Sequence, residues 1–457
     1  MNSLDSAGQP QRLLDPLGAI ALIVGIVIGA GIFKTPAMVA SLTNDVGWTL
    51  MVWVAGALIS VIGALCYAEL CSAYPHAGGD YHFLHRAFGR HVSFLYGWAR
   101  ATVINPGAIA LLAFVFGDYF SQVVPLGDYS SAIWALTIVL LLTLVNVIGI
   151  RASANIQSSL VVLEVIGLLA VVVAGFWVQA PAADTPPFFG SMPATSQFGL
   201  ALVFVLLTFG GWNEAAYISA ELRGGARSIV RVIVISMLVL TAIYLLVNVA
   251  LLHGLGLRSL SESTTAASDV LGLAWGPWAQ KALGLFVAIS ALTSINATMV
   301  VGARANYAVA LDWASLRQLG QWQARSGSPT RAHVMQACIS VALIGLGMRE
   351  ADGFAAMVEF TAPMFWSFLL LVGLALLWLR RTDPLAARPF RVPLYPFTPL
   401  VFCSACGFLA YSSVMYAVSQ NAIHVSFWLL GSGVVALLVL RWRESALQKV
   451  STAASVR

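Results

Sequence analysis

Hydrophobic residues occur along this chain in long runs that are separated by short polar stretches. A helix needs about 20 mostly apolar residues to cross the hydrocarbon core of a bilayer. The strands of a membrane barrel would alternate apolar and polar positions, whereas these runs are continuous and so indicate helices. The pattern predicts an all-α integral membrane protein with twelve transmembrane helices, at 17–41, 47–73, 92–121, 131–149, 155–178, 197–220, 229–254, 278–303, 332–348, 354–380, 395–419 and 423–441.

The composition agrees with a membrane protein and excludes several soluble classes. Hydrophobic residues make up 59% of the 457 residues and charged residues only 9%, whereas a soluble domain carries about 25% charged residues. So few charges cannot cover the surface of a soluble globule, which excludes a soluble enzyme, a disordered chain and a nucleic-acid-binding protein. The net charge of +5 is explained by basic residues in the loops on one side of the membrane.

The distribution of Lys and Arg predicts the orientation. With the N-terminus in the cytoplasm, the twelve helices place 20 of the 24 basic residues inside and 3 outside. This excess follows the positive-inside rule. It predicts cytoplasmic tails at 1–16 and 442–457 and a multi-pass protein of the plasma membrane, which in a bacterium is the inner membrane. One outer loop, 255–277, leaves room for a short extra helix.

Glycine clusters interrupt the first and sixth runs. Gly29 and Gly31 flank Ala30 in the first run, and Gly210 and Gly211 are adjacent in the sixth. A glycine inside a helix costs about 1 kcal/mol relative to alanine. Close helix packing would place small residues four apart on one face, whereas these glycines share one turn. The clusters therefore favour unwound stretches in both helices.

Two interrupted helices, five helices apart, are typical of transporters with a five-plus-five inverted repeat. The predicted repeats are 17–178, with helices one to five, and 197–380, with helices six to ten, followed by peripheral helices at 395–441. In such a fold, the broken helices meet near the middle of the membrane. The N-terminus of a half-helix attracts a carboxylate, and exposed carbonyl groups attract an ammonium group. A zwitterion of the amino-acid type fits both ends at once.

Several short motifs carry a family resemblance. They are GAGIF at 29–33, YAEL at 67–70, FGGWN at 209–213 with AEL at 220–222, and SINAT at 294–298. As a set, they resemble the amino acid–polyamine–organocation (APC) superfamily, nearest to its L-type amino acid transporter-like branch. The resemblance implies a LeuT-type fold of ten core helices and two peripheral ones. It also implies alternating access, with neither enzymatic chemistry nor a cofactor.

The resemblance further implies which residues bind the substrate. The backbone of 29–32 would contact the substrate carboxylate, and the carbonyl groups of 209–211 would contact the ammonium. Trp212 would lie beside the site as a wall or gate. The predicted substrate-binding residues are Ile28, Gly29, Ala30, Gly31, Ile32, Asn105, Phe209, Gly210, Gly211, Trp212, Asn213 and Glu214.

Two of these residues have alternative explanations. Glu214 follows the interruption in the sixth run. It could contact an ammonium group or a cationic side chain, or it could cap the second half-helix, where an acidic residue is favoured. Asn105 precedes Pro106 in the third run. It could line the pathway, or the pair could simply mark a proline kink.

Ionisable residues at membrane depth are functional candidates by default. Glu164 lies in the fifth run, where relatives that resemble this chain carry a lysine. It could couple transport to a proton, bind sodium or another cation, or play a structural role. Lys34 is expected to extend to the outer interface. Glu69 and Arg100, near the inner ends of helices two and three, are expected to act at an inner gate or to anchor loops.

The predicted function is secondary transport of amino acids. A channel would show rings of charge or filter sequences, and a membrane enzyme would need a nucleophile with a base or a metal cluster. The sequence shows neither, and no metal site is predicted. The mostly apolar residues expected to line the substrate site favour neutral L-amino acids as substrates. Cationic amino acids or polyamines are the alternative, because Glu214 could contact a second positive charge. The expected partners are the substrate, the bilayer and, if Glu164 couples transport, protons; uniport, exchange and proton symport are not separated.

Overall fold

The structure is a computed structural model that describes residues 20, 23–24, 27–74, 76, 78–148, 154–178, 188–211, 225–313, 318, 321, 323, 329–350, 352–420 and 423–455. Regular secondary structure in these residues is helical throughout. The helices are α1 Gly31–Thr43, α2 Val46–Ala73, α3 Asp80–Phe88, α4 Arg90–Ala99, α5 Asn105–Ser121, α6 Ser130–Ile148, α7 Ala154–Trp177, α8 Thr195–Thr208, α9 Gly225–Glu262, α10 Ala266–Trp275, α11 Pro277–Asp312, α12 Thr330–Gly347, α13 Gly353–Thr382, α14 Phe397–Ser419 and α15 Ile423–Ser455. A π-helical turn, Arg100–Ile104, joins α4 to α5.

Many of these helices can cross a bilayer. In the described part of the chain, 7 helical segments are long and apolar enough to do so. They lie in α2, the α4–α5 unit, α6, α9, α11, α13 and α14. Three shorter apolar helices, Leu163–Trp177, Thr195–Thr208 and Leu430–Trp442, overlap the fifth, sixth and twelfth predicted runs. The chain is therefore an all-α, multi-pass membrane protein, and the twelve-span repeat stays a prediction.

The interruption predicted for the first run is confirmed. The helical conformation stops at Val27 and starts again at Gly31, with Ile28, Gly29 and Ala30 outside any helix. The first N–H groups of α1 make only long backbone hydrogen bonds, of 3.3 and 3.4 Å. These groups lie at the positive end of the α1 dipole.

The sixth run also changes conformation where its glycines occur. α8 ends at Thr208, and 209–211 form a turn. Gly211 has a φ of 99°, a conformation that glycine adopts without the steric penalty of a Cβ atom. The rest of this run, 212–220, lies outside the described residues.

Two short helices lie between the predicted spans, the second of them in the outer loop where the sequence left room for a short extra helix. α3 lies in the loop after α2, and α10 lies in the outer loop 255–277 with 10 residues, too few to span a bilayer. Glycines with positive φ bound them: Gly79 and Gly89 around α3, and Gly276 after α10. Such glycines let the chain turn sharply at a helix end, and a count of apolar residues does not detect this.

Glu69 anchors a loop to the inner end of α2. Its carboxylate is fully buried and accepts hydrogen bonds from Nε and Nη2 of Arg380, at 2.7 and 2.5 Å. Nε of Arg388 lies 3.6 Å from the same carboxylate, and the N–H of Val392 donates to it at 2.6 Å. Of the two roles expected for Glu69, these contacts support the anchoring of the loop 383–396.

Candidate functional site

The N-terminus of α1 and the C-terminus of α8 lie side by side. A Cβ atom added to Gly31 would be 3.6 Å from Oγ1 of Thr208, an ordinary contact distance. About one turn further along α1, the hydroxyl oxygens of Thr35 and Thr208 are 2.6 Å apart and share a hydrogen bond. The positive end of one helix dipole therefore lies next to the negative end of the other.

Tyr244 of α9 joins the two interruptions. Its hydroxyl oxygen lies 3.0 Å from the backbone oxygen of Val27 and 3.4 Å from that of Thr208. The side chain is fully buried, and its single hydroxyl hydrogen can be donated to one of the carbonyl groups at a time. Tyr244 thus holds the last helical residue before the first interruption close to the last residue of α8.

Apolar side chains pack behind these helix ends. The ring of Phe209 is fully buried, with its centroid 4.9 Å from that of Tyr244 and 6.0 Å from that of Trp53. Ile28 and Ile32 are also buried. The ring of Phe209 therefore belongs to the core between α2, α8 and α9, and its backbone is the part that belongs to the turn after α8.

A polar face of α11 adjoins the first interruption. A Cβ atom added to Gly29 would lie 3.8 Å from Oγ of Ser294. One turn earlier, the Ser290 hydroxyl donates to the carboxyl group of Glu164, a buried residue of α7. The residue singled out as a candidate for coupling is thus bonded to the face of α11 that adjoins the first interruption.

Comparison with known proteins settles the family. The sequence profile of the amino acid permease family matches residues 14–439. The chain belongs to the amino acid permease family. This permease is an amino acid transporter of the APC superfamily and not an enzyme, because the relatives that it matches are transporters.

Relatives of the permease match it along almost its whole length. The b(0,+)-type amino acid transporter 1 of Rattus norvegicus is 27% identical over 448 residues, which are 96% of this chain and 90% of the relative. The serine/threonine exchanger SteT of Bacillus subtilis is 26% identical over 91% of this chain and 94% of its own length. The cystine/glutamate transporter of Homo sapiens is 26% identical over 97% of this chain and 89% of its own length.

Asn105 of the permease follows the π-helical turn and faces α11 and α12. A Cβ atom added to Gly302 would lie 2.8 Å from Nδ2 of Asn105 and 2.2 Å from Oε1 of Gln336. Gly302 follows Ser294 by about two turns along α11, so Asn105 packs some distance from the contact of Gly29 with Ser294. Its assignment to the substrate site stays a prediction.

The other predicted site residues fall into two groups. The structure brings 28–32 and 209–211 together at the paired helix ends, while Glu164 is bonded to Ser290 on the neighbouring α11. Trp212, Asn213 and Glu214 lie outside the described residues.

Lys34 of the permease is buried, so the expectation that it extends to the outer interface is wrong. Its side chain is 1% exposed, and its Nζ lies 2.8 Å from Oδ2 of Asp118 and 3.1 Å from Oδ2 of Asp352. A lysine in an apolar span is stable in its charged form when charged partners surround it. Asp118 lies in the third predicted run, so a search for acidic residues at membrane depth would have found it. The same search would have found Glu359 in α13.

Proposed function

We propose that the permease is a secondary transporter that moves amino acids by alternating access. Its twelve transmembrane helices form a LeuT-type five-plus-five inverted repeat, with repeats at 17–178 and 197–380 and peripheral helices at 395–441. The tails at 1–16 and 442–457 are cytoplasmic, which the 20 to 3 excess of inner basic residues supports. The protein resides in a bacterial inner membrane, and its Bacillus subtilis relative supports this location.

The substrate is bound through its α-carboxylate and α-ammonium groups. The observation that carries this proposal is the pairing of the start of α1 with the end of α8, bridged by the Tyr244 hydroxyl at 3.0 and 3.4 Å. The N–H groups of 29–32 bind the carboxylate, and the carbonyl groups of 209–211 bind the ammonium. Trp212 and Asn213 continue the wall of the site.

The preferred substrates are neutral L-amino acids. The buried apolar side chains of Ile28 and Ile32 at the first interruption support this preference. The Bacillus subtilis relative also supports neutral substrates, because its name gives serine and threonine, two amino acids with uncharged side chains. The alternative is exchange or uniport of cationic amino acids or polyamines, in which Glu214 would contact the second positive charge.

A ligand screen separates these substrates. A ligand that binds only the folded protein raises its melting temperature by mass action. We expect neutral L-amino acids to stabilise the detergent-purified permease, and agmatine and putrescine to leave its melting temperature unchanged. Stabilisation by arginine, lysine or polyamines alone would replace the neutral substrate class by the cationic one.

Glu164 is proposed to couple transport to protons. Its buried carboxyl group is bonded to Ser290 of α11, one turn before Ser294, whose hydroxyl adjoins Gly29 in the first interruption. A proton bound there would respond directly to a change in the packing of α1, α7 and α11. The competing roles are a permanently protonated structural residue and a site for sodium or another cation.

Glu164→Gln tests the coupling. The glutamine keeps an acceptor for Ser290 but cannot release a proton. We therefore expect uptake by the variant in proteoliposomes to become independent of external pH, while uptake by the parent rises as the outside becomes acidic. Glu262→Gln, at an exposed outer ion pair, is the control and should keep the parent profile. An unchanged pH profile in Glu164→Gln would assign Glu164 a structural role, and a changed sodium dependence would assign it to a cation site.

A further inference from the structure

A cavity of about 500 Å³ opens at the inner end of α2, away from the paired helix ends. It lies between that helix end, α3 and the loop 383–396, on the side that the proposed topology assigns to the cytoplasm. Its volume falls in the range of small-molecule sites, about 300–1,000 Å³. It is called the inner cavity below, and the polar part of its lining consists of Tyr74, His76, His82, Arg86 and Asp383.

Two stacked histidines line the inner cavity. The imidazole rings of His76 and His82 have their centroids 4.2 Å apart and their planes 13° apart. The N–H of Gly78 donates to Nδ1 of His76 at 2.9 Å, so the hydrogen of this ring, when it is neutral, is on Nε2. The stack therefore supplies two N–H donors, one from each ring.

Arg86 also lines the inner cavity, and its contacts hold the guanidinium group in place. Its Nη2 donates to Oδ2 of Asp383 at 2.8 Å, and its guanidinium carbon lies 4.6 Å from the centre of the Tyr74 ring. The Tyr74 hydroxyl donates to the same carboxylate oxygen at 3.3 Å. Because a guanidinium group has five N–H donors, Arg86 keeps donors for a ligand after it has neutralised Asp383.

The charges around the inner cavity favour an anionic ligand. Arg86 is paired with Asp383, the acidic residue of the lining. Behind them, Arg380 and Arg388 share the carboxylate of Glu69. Three arginines therefore face two carboxylates, which gives a net charge of +1 while both imidazoles are neutral. An anion would balance this excess of positive charge, whereas a cation would add to it.

The half-buried imidazole of His82 is sensitive to this positive charge. Its pKa is lowered to about 4, mainly by burial and then by the charges of His76, Arg86 and His85. Asp383 of the neighbouring loop faces the same cavity, but Arg86 is paired with it. An anion against the ring would offset the repulsion and raise the pKa toward its usual value of 6.5. Binding of an anion would therefore take up a proton and become tighter as the pH falls.

We propose that the inner cavity binds a phosphate group, with the two imidazoles and the guanidinium of Arg86 as its hydrogen-bond donors. Charge-assisted hydrogen bonds from such groups to phosphate oxygens are short and strong. The rim of the cavity favours the headgroup of an anionic phospholipid, because the apolar side chain of Leu385 is 95% exposed there, and Leu394 and Phe397 nearby are also exposed. Anionic lipids of the cytoplasmic leaflet are attracted to basic sites of this kind. A soluble phosphate would make the same polar contacts.

The test measures binding of phosphatidylglycerol to the purified, full-length permease in detergent, by native mass spectrometry. The double variant His76→Phe/His82→Phe keeps two stacked rings but has neither their N–H donors nor their charge. We expect its dissociation constant for the lipid to be about tenfold or more above that of the parent, since hydrogen bonds to a charged group are lost. His91→Phe replaces an exposed imidazole of α4 outside the cavity and is the matched control, which should keep the parent affinity.

The pH dependence of lipid binding tests the role of the imidazoles separately. The phosphodiester of phosphatidylglycerol keeps its charge from about pH 7.5 to about pH 5.5, the range in which an ordinary imidazole takes up a proton. We expect the affinity of the parent to rise as the pH falls through this range, and the affinity of the double variant to stay constant. The same rise in both proteins would contradict a role of the two histidines.

Inorganic phosphate, exchanged for chloride at constant ionic strength, separates a soluble ligand from a lipid. A melting temperature that phosphate raises in the parent but not in the double variant, with equal lipid binding by both, would confirm the phosphate site and make its ligand a soluble anion. Equal responses of the two proteins to both ligands would overturn the site. If the double variant does not fold, Arg86→Gln serves instead, because it removes the third donor group from an exposed pair. Parent-like binding of both ligands by Arg86→Gln would then overturn the site.

Discussion

Glu69→Ala is expected to lower the free energy of unfolding by about 3–5 kcal/mol, the usual cost of leaving a buried charge without its partner. The fully buried carboxylate receives two hydrogen bonds from Arg380 and one from the N–H of Val392. Its removal leaves the side chains of Arg380, 17% exposed, and Arg388, 6% exposed, without their counter-charge. The loop 383–396 would lose its attachment to α2. The measurement is the melting temperature of the purified protein in detergent.

Two further variants show whether a lower melting temperature of Glu69→Ala comes from the loss of the buried charge. Glu69→Gln keeps an acceptor for Val392 but loses the charge, so its melting temperature should lie between those of the parent and Glu69→Ala. Asp383→Asn is the control for an exposed pair: Arg86 donates to Asp383 at 2.8 Å and lowers the pKa of its carboxyl group. Because exposed pairs contribute little to stability, this variant should melt close to the parent. A Glu69→Ala protein that melts together with Asp383→Asn would contradict the anchoring role.

Tyr244→Phe is expected to weaken amino acid binding by about tenfold or more while the protein still folds. The variant removes the hydroxyl that joins Val27 to Thr208 and leaves a buried carbonyl group without its donor, a loss of about 1–3 kcal/mol. The two helix ends would then be less well positioned for the carboxylate and ammonium groups of one substrate. The measurement is the dissociation constant of the most stabilising neutral amino acid from the ligand screen.

Tyr119→Phe is the matched control for this variant. The Tyr119 hydroxyl also donates to a backbone oxygen of the first helix, that of Phe33, at 2.7 Å. Phe33 lies beyond the interruption, and this bond joins α1 to α5 rather than to α8. We expect Tyr119→Phe to lose a similar amount of stability but to keep its affinity. Equal losses of affinity in both variants would show that Tyr244 acts through general stability rather than by joining the interruptions.

The hydrophobic pattern predicted the apolar helices and both places where the first and sixth runs change conformation. These features are encoded locally, by apolar length and by glycines that share one turn. The short helix α3 was not predicted, and for α10 the sequence indicated only room for a short extra helix in 255–277, because the ends of both helices depend on backbone conformation at Gly79, Gly89 and Gly276. A count of apolar residues along the sequence does not detect such backbone conformations.

The contacts that complete the site could not be predicted in the same way. Tyr244 and Val27 are 217 residues apart, and Lys34 and Asp118 are 84 residues apart. A tyrosine within an apolar run carries no local signal that its hydroxyl meets a carbonyl group of another helix. Lys34 was visible as a charge in the membrane, but its partners depend on how α1, α5 and α13 pack together. Long-range packing therefore determines the site, while local sequence determines the helix ends that it uses.

The most direct test of the amino acid site is a competition experiment with altered α-groups. The probe is the most stabilising neutral amino acid, radiolabelled, bound to the purified permease. Its unlabelled form, its decarboxylated amine and its N-acetyl derivative compete in parallel. We expect the amino acid to displace the probe and both analogues to fail, because each lacks one of the two groups that the ends of α1 and α8 bind. Displacement by either analogue with the affinity of the intact amino acid would contradict recognition of a zwitterion at these paired helix ends.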